Sequence, residues 1–213
     1  MLKALGLSAT VATLAASLTA MASADDARVK ERNADYAADD ARSVDRAAVR
    51  LNLSPASLKK AVDARLLPAG TKSLLRVKTR LQHGEYIWND EDVPPGEVTV
   101  FVDVRRQMMS VFRGGHEIGT SVVVYGEGNH KSPEGKFPIL SKFEDYHSRT
   151  YDAPMPHSMF LTNDGVAIHG NVMAAFRATK GCIGLPPEFA KLLFSVARKG
   201  DVVEITRSLK SAT

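Results

Sequence analysis

Residues 97–125 run EVTVFVDVRRQMMSVFRGGHEIGTSVVVY, and their pattern sets the fold class. Val98, Val100, Val102 and Val104 alternate with Thr99, Phe101 and Asp103, the two-residue period of a strand that lays one face on a core. Residues 107–113 predict a second strand. Gly114-Gly115 is a hairpin-type turn leading into a third strand over 116–125. Further strands are predicted at 136–142, 158–162 and 166–169. Over 187–198 the period becomes helical: Phe189, Leu192, Leu193 and Val196 form one apolar stripe, and Gly200 follows as a stop. Residues 201–206, with Val202, Val203 and Ile205, close the pattern. The expectation is a mainly β domain over 97–207 with one packed C-terminal helix, followed by a tail over 208–213.

A small helical or irregular region precedes this domain, over 54–96. Residues 54–66 predict a short helix, with Ser54 as N-cap, Pro55 at the first position and Leu58, Val62 and Leu66 on one face, ended by Pro68 and Gly70. Residues 71–96 form a mixed connector that carries Trp88 and the turn Pro94-Pro95-Gly96. Residues 25–53 are an Ala-rich, densely charged spacer. Residues 1–24 hold one charge, Lys3, then an apolar run ending in Ala22-Ser23-Ala24. These are the three parts of a secretory signal, with an uncleaved anchor as the alternative. No Cys stands at the exit, which argues against a lipid anchor. The expected destination is the periplasm or cell envelope, with no stable membrane insertion after cleavage.

Composition bounds what the chain can be. Its 213 residues are 44% hydrophobic, 24% charged and 7% aromatic, with a single Cys. Collagen-like, disulfide-rich and wholly disordered classes are excluded. A polytopic membrane protein is excluded too, because the only apolar stretch of near-spanning length lies at the N-terminus. The net charge is +4, from 28 basic and 24 acidic residues mixed along the chain. This gives no concentrated basic face and hence no nucleic-acid partner, although a mild positive excess suits an acidic polymer or an anionic envelope surface. Exported proteins normally use cysteines in pairs. Cys182 has no partner in the chain, so it is either buried and inert or retained for its chemistry.

The neighbours of Cys182 bear on that choice. Val166-Ala167-Ile168-His169-Gly170 delivers a histidine at the end of an apolar strand, and Thr179-Lys180-Gly181-Cys182-Ile183-Gly184-Leu185 follows after a loop. A thiol needs a base or a cation nearby to react near neutral pH. His169 is a candidate base, and Lys180 a cation that would favour the thiolate electrostatically. Gly181 allows close backbone approach. The amides of Lys180, Gly181 and Cys182 are candidates for an oxyanion hole, where one donor is typically worth roughly 3–4 kcal/mol. The alternative is a satisfied core histidine beside a structural cysteine. His130, His147 and His157 lack short zinc spacing, which argues against a metallopeptidase, and Gly126-Glu127-Gly128 lacks the Lys-Ser/Thr of a phosphate loop and reads as a turn.

At these residues the sequence resembles the L,D-transpeptidase catalytic domain family, of YkuD type. That family carries a His-Gly or His-Ala element, a loop, then Ser/Thr-His-Gly-Cys-(Ile/Val)-Arg-Leu. His169 matches the first block, and Thr179, Gly181, Cys182, Ile183 and Leu185 match the second. The resemblance extends over 98–205. It includes Gln107, the element Ser132-Pro133-Glu134-Gly135-Lys136-Phe137, Met155-Pro156 before Phe160, Leu185-Pro186 into Phe189-Ala190, and Gly200-Asp201-x-Val203. It implies a β-sandwich or barrel of that family and no cofactor. It also implies attack by Cys182 on a peptidoglycan stem peptide, an acyl-thioester, and resolution by an amine that forms a cross-link. His169 would handle the proton, and the backbone carbonyl of Gly170 would hold His169. Residues 143–157 would form a flap in which Tyr151, Met155 and His157 contact substrate, together with Thr179 and Arg177. Two positions depart from the pattern: Lys180 stands where His is usual, and Gly184 where Arg is usual. Three functions follow: an L,D-transpeptidase, an L,D-carboxypeptidase or hydrolase on stem peptides, or a catalytically weakened murein-binding module. The oligomeric state is left unassigned.

Overall fold

The computed structural model describes residues 42–43, 49–171 and 178–209, all within one compact unit, Asp39–Thr213. The signal segment 1–24, most of the spacer 25–53, Arg177 and the end of the tail lie outside the described residues.

Among the described residues, fifteen strands and two α-helices follow in order: β1 Arg42–Ser43, β2 Arg50–Leu51, α1 Pro55–Asp63, β3 Leu74–Leu75, β4 Glu85–Trp88, β5 Val98–Asp103, β6 Met108–Arg113, β7 His116–Val122, β8 Gly135–Pro138, β9 Ser141–Phe143, β10 His147–Ser148, β11 Ala153–Pro154, β12 Ser158–Phe160, β13 Ala167–Gly170, β14 Ile183–Leu185, α2 Pro187–Val196 and β15 Val202–Thr206. Seven strands form the main sheet, in the order β1-β4-β7-β6-β5-β15-β8, and four form a second sheet, β14-β13-β12-β9. The fold is mainly β, as the alternation over 97–125 predicts. Among the described residues, no helix is long and apolar enough to cross a membrane.

The hairpin between β6 and β7 forms where the glycine pair predicts it. Arg113 pairs with His116, and Gly114 and Gly115 have φ of 56° and 87°, the left-handed conformation a two-residue turn of this twist requires. The core lies between the two sheets and α2. Val100, Val102, Val111, Ile118, Ile168, Leu185, Phe189 and Leu193 are fully buried there. Helix α2 packs on β13, so the strand carrying His169 has a helix behind it.

Four expectations need correction. The strand predicted over 136–142 is two strands, β8 on the main sheet and β9 on the second. The chain turns the corner at Ile139 and Leu140, whose amides bond to Asp201 O and Phe160 O. An apolar run gives no sign of which sheet its two halves join. The connector over 71–96 contributes β4, which lies between β1 and β7 and whose Tyr86, Ile87 and Trp88 pair with β7. Residues 183–185 form a strand parallel to β13, too short to show a period. Helix α1 ends at Asp63, because Arg65 takes a left-handed φ of 56° and closes the helix a turn before Pro68. Its cap is as predicted, with Ser57 N donating to Ser54 Oγ at 3.2 Å.

The segment around β2 is held by a polar cluster centred on Arg50 and Glu117. Arg50 donates from Nη1 to Glu117 O at 2.7 Å and from Nη2 to Asn89 O at 3.2 Å. The Glu117 carboxylate accepts from Leu75 N at 2.7 Å. Burial pushes the Glu117 carboxyl up to about 7, against the hydrogen bonds from Ser110 and Leu75 and the charge of Arg50. The folded protein therefore holds a proton that the unfolded chain, at 4.5, has released. This contribution to stability is complete below pH 4.5 and is lost as pH rises through about 7. At 1.36 kcal/mol per unit the loss is on the order of 3 kcal/mol. Glu117→Gln is expected to raise the melting temperature above pH 7 and to flatten its fall between pH 5 and 8. Thermal melts across that range check this.

Candidate active site

Strands β13 and β14 bring the two halves of the motif together. They run parallel, with Ile168 opposite Ile183 and His169 opposite Gly184. Continued one residue back, this register sets Cys182 beside Ala167, diagonal to His169 on the face that Ala167 and His169 share. Ordinary strand spacing and rise put those two Cα atoms about 8 Å apart, within reach of an imidazole and a thiol. Sγ of Cys182 donates to Gly165 O at 3.7 Å and receives a backbone hydrogen bond from Ala167.

His169 is 7% exposed, and its Nδ1 lies 2.8 Å from Gly170 O. A carbonyl can only accept, so Nδ1 carries the proton and Nε2 keeps a free lone pair in the neutral ring. Burial holds the His169 imidazole below its usual range, opposed by the bond to Gly170. Burial also raises the Cys182 thiol, opposed by the Ala167 hydrogen bond. Both shifts favour the neutral forms of the two groups. Lys180, read from the sequence as a cation for the thiol, has a partner in the 143–157 segment. Its ammonium lies 4.9 Å from the Tyr151 ring centroid, a cation–π contact that links the Gly-Cys segment to the flap.

The Gly-Cys segment is clamped from two sides. Ser132 Oγ donates to Gly181 O at 2.8 Å and accepts from Gly126 N at 2.9 Å. Thr179 Oγ1 donates to Cys182 O, and Thr179 N donates to Tyr125 O at 3.1 Å. Gly184 exchanges both backbone hydrogen bonds with Val124. Gly181 has a φ of 112°, which only glycine adopts without strain. With both carbonyls engaged, the amide N–H groups of Lys180, Gly181 and Cys182 donate to no acceptor among the described residues. Ser132 and Gly126 are site residues whose roles were not legible beforehand. Ser132 was visible only as part of a motif, and Gly126 only as a turn glycine.

Gly126 has no room for a side chain. A Cβ there would lie 2.0 Å from His130 O and 2.5 Å from Gly181 N. Gly126→Ala is expected to displace the Gly-Cys segment and lower the acylation rate at least tenfold, with a drop in melting temperature. Single-turnover acylation and a thermal melt check this. The Gly184 departure has a local cause too: a Cβ there would lie 2.5 Å from Val124 Cγ2 and 3.1 Å from both Cβ and Nδ2 of Asn171. Val124 and the Asn171 side chain fill the place an arginine stem would need.

The flap residues fall into two groups. Tyr151 is 50% exposed and reaches Lys180. Met155 is 7% exposed, with its amide bonded to Tyr146 O. The His157 ring packs edge-on against Phe194 at 5.4 Å, with its Nδ1 buried and unpartnered. Met155 and His157 thus anchor the base of the flap, and Tyr151 is the one at its exposed end. Pro156 O accepts from Gly170 N at 2.8 Å, which ties that base to the histidine strand. Among the described residues, no three His, Cys, Asp or Glu side chains gather to hold a metal ion.

The model of the L,D-transpeptidase catalytic domain family, YkuD, matches residues 97–205. No curated protein matches the chain significantly. Among solved structures, the chain is similar to an L,D-transpeptidase from Stackebrandtia nassauensis, with 21% identity over 58% of this chain and 62% of that one and a TM-score of 0.49. It is also similar to one from Mycobacterium smegmatis, with 23% identity, 52% and 58% coverage and a TM-score of 0.48. A third, from Mycobacterium tuberculosis H37Rv, shows 19% identity, 52% and 57% coverage and a TM-score of 0.48. The chain spans less than two thirds of the length of these structures. With the family's model covering more than half of its residues, the chain belongs to the L,D-transpeptidase catalytic domain family.

Proposed function

We propose that the chain is an exported L,D-transpeptidase that forms peptidoglycan cross-links through an acyl-thioester on Cys182. The observation that carries this reading is the set of undonated amides at Lys180, Gly181 and Cys182, next to a strand whose buried imidazole is locked by Gly170 O with Nε2 free.

In the proposed cycle, Nε2 of His169 takes the Sγ proton as sulfur attacks the carbonyl joining the third and fourth residues of a stem peptide. The three amides receive the oxyanion. As the tetrahedral centre collapses, the C–N bond breaks, His169 returns the proton to the leaving amine, and a terminal D-amino acid departs. The side-chain amine of a second stem then attacks the thioester and gives up a proton to His169. The thiolate leaves, and His169 passes that proton back to it. The lowered imidazole and raised thiol suit this order of events: the proton moves only as the sulfur attacks. Tyr151, with Lys180 against its ring, would cover the donor peptide.

Export to the periplasm belongs to the proposal and is supported by the signal-like pattern of residues 1–24. Incubation with disaccharide tetrapeptide tests the reaction class. Cross-linked dimers are expected; tripeptide without dimer would make the chain an L,D-carboxypeptidase, and no product a murein-binding module.

A further inference from the structure

The fold assembles a basic groove that the sequence scatters. Arg80 comes from the segment before β4, and Arg105 and Arg106 from the β5–β6 turn. Together with Gln82, His83 and Gln107 they line a cavity of about 680 Å³. Among the described residues no carboxylate lines it, although Asp103 Oδ2 lies 3.8 Å from Arg106 Nε at the β5–β6 turn. Arg105 is held in place by its Nε, which donates to Ser208 O at 2.6 Å. Gln107 takes a left-handed φ of 57°, a conformation that costs a non-glycine residue energy and is often kept where function needs it. Its carbonyl accepts from Val123 N at 2.9 Å, which locks that turn to the end of β7.

The groove leads toward the candidate active site. His83 and Gln107 also line a smaller cavity of about 170 Å³, completed by Val124, Tyr125, Glu127 and Ala178. Val124 and Tyr125 are the residues whose backbones bond Gly184 and Thr179, on either side of Cys182. The arginine-lined cavity thus shares His83 and Gln107 with a second cavity whose walls, Val124 and Tyr125, adjoin the Cys182 segment.

We infer that this groove is an anion subsite that binds the free carboxylates of a peptidoglycan stem peptide engaged at Cys182. The inference rests on the proposed function. Arginine forks pair carboxylates bidentately, and Arg80 and Arg105 present guanidinium groups here beside Gln82 and Gln107, while Arg106 also faces the buried Asp103 carboxylate at 3.8 Å. Continuity with the Cys182 segment favours a peptide substrate over an unconnected polymer.

The test uses the full chain, with Arg80→Ala and with the double variant Arg80→Ala/Arg106→Gln, both at exposed positions. The probes are a disaccharide tetrapeptide with free carboxylates and the same compound with its carboxylates amidated. For the free acid, the double variant is expected to raise KM about tenfold with kcat unchanged, and Arg80→Ala about threefold. For the amidated probe, neither variant should change KM, and the wild type should show the weaker binding. Carbapenem acylation of Cys182, followed in parallel, is expected to be unchanged. Failure of the wild type to acylate overturns the proposed function itself. Intact acylation with an unchanged KM for the free acid overturns the subsite. A variant-sensitive affinity for polyglycerol phosphate without any effect on the tetrapeptide also overturns it, assigning the groove to a phosphodiester polymer.

Discussion

Replacing His169 with alanine is expected to lower the rate of Cys182 acylation at pH 7 by about 10²–10⁴, the usual worth of a positioned base. The shape of the pH profile should change as well. In the wild type, burial lowers the His169 imidazole and raises the Cys182 thiol from their ordinary values, so both shifts favour the neutral forms near pH 7. The rate should fall only on the acid side, where His169 takes up a proton, and should be level through neutrality. In the alanine variant the only route is spontaneous ionisation of the thiol. The residual rate should then climb about tenfold per pH unit from neutrality to above pH 9. A profile unchanged in shape would mean that His169 is a core histidine and that another group takes the proton.

Cys182→Ser is expected to remove turnover of tetrapeptide substrate by at least about 10³-fold while leaving the fold intact. The oxygen is smaller and sits in the same half-buried position. A hydroxyl ionises far less readily than a thiol, and an imidazole depressed by burial is a weak base for it. A melting temperature within a few degrees of wild type would show that the loss is chemical.

The parts of this account that were legible in the sequence are those with a local physical cause. Alternating valines at 98–104, a Gly-Gly pair, a Ser-Pro start at 54–55 and the stripe of Phe189, Leu192, Leu193 and Val196 each fix their element within a few residues. His169 and Cys182 stood out because a lone thiol near a strand-end histidine is chemically suggestive. What was not legible depends on contacts between distant segments. Gly126 against Gly181, Ser132 bridging both, and the corner at Ile139 arise only once the two sheets meet. Lys180 could be read as a charge near the thiol; only the fold shows that Tyr151 takes it up. Gly184 was a departure without a reason until Asn171 and Val124 were seen to fill its space.

The central claim is that Cys182 accepts an acyl group. Its most direct test is intact-mass spectrometry of the purified chain after exposure to a carbapenem at pH 7, with peptide mapping of any adduct. The account predicts one covalent adduct per chain, located on the peptide containing Cys182 and missing from Cys182→Ser. An adduct that persists in Cys182→Ser, or a wild-type chain that gains no mass, would contradict it.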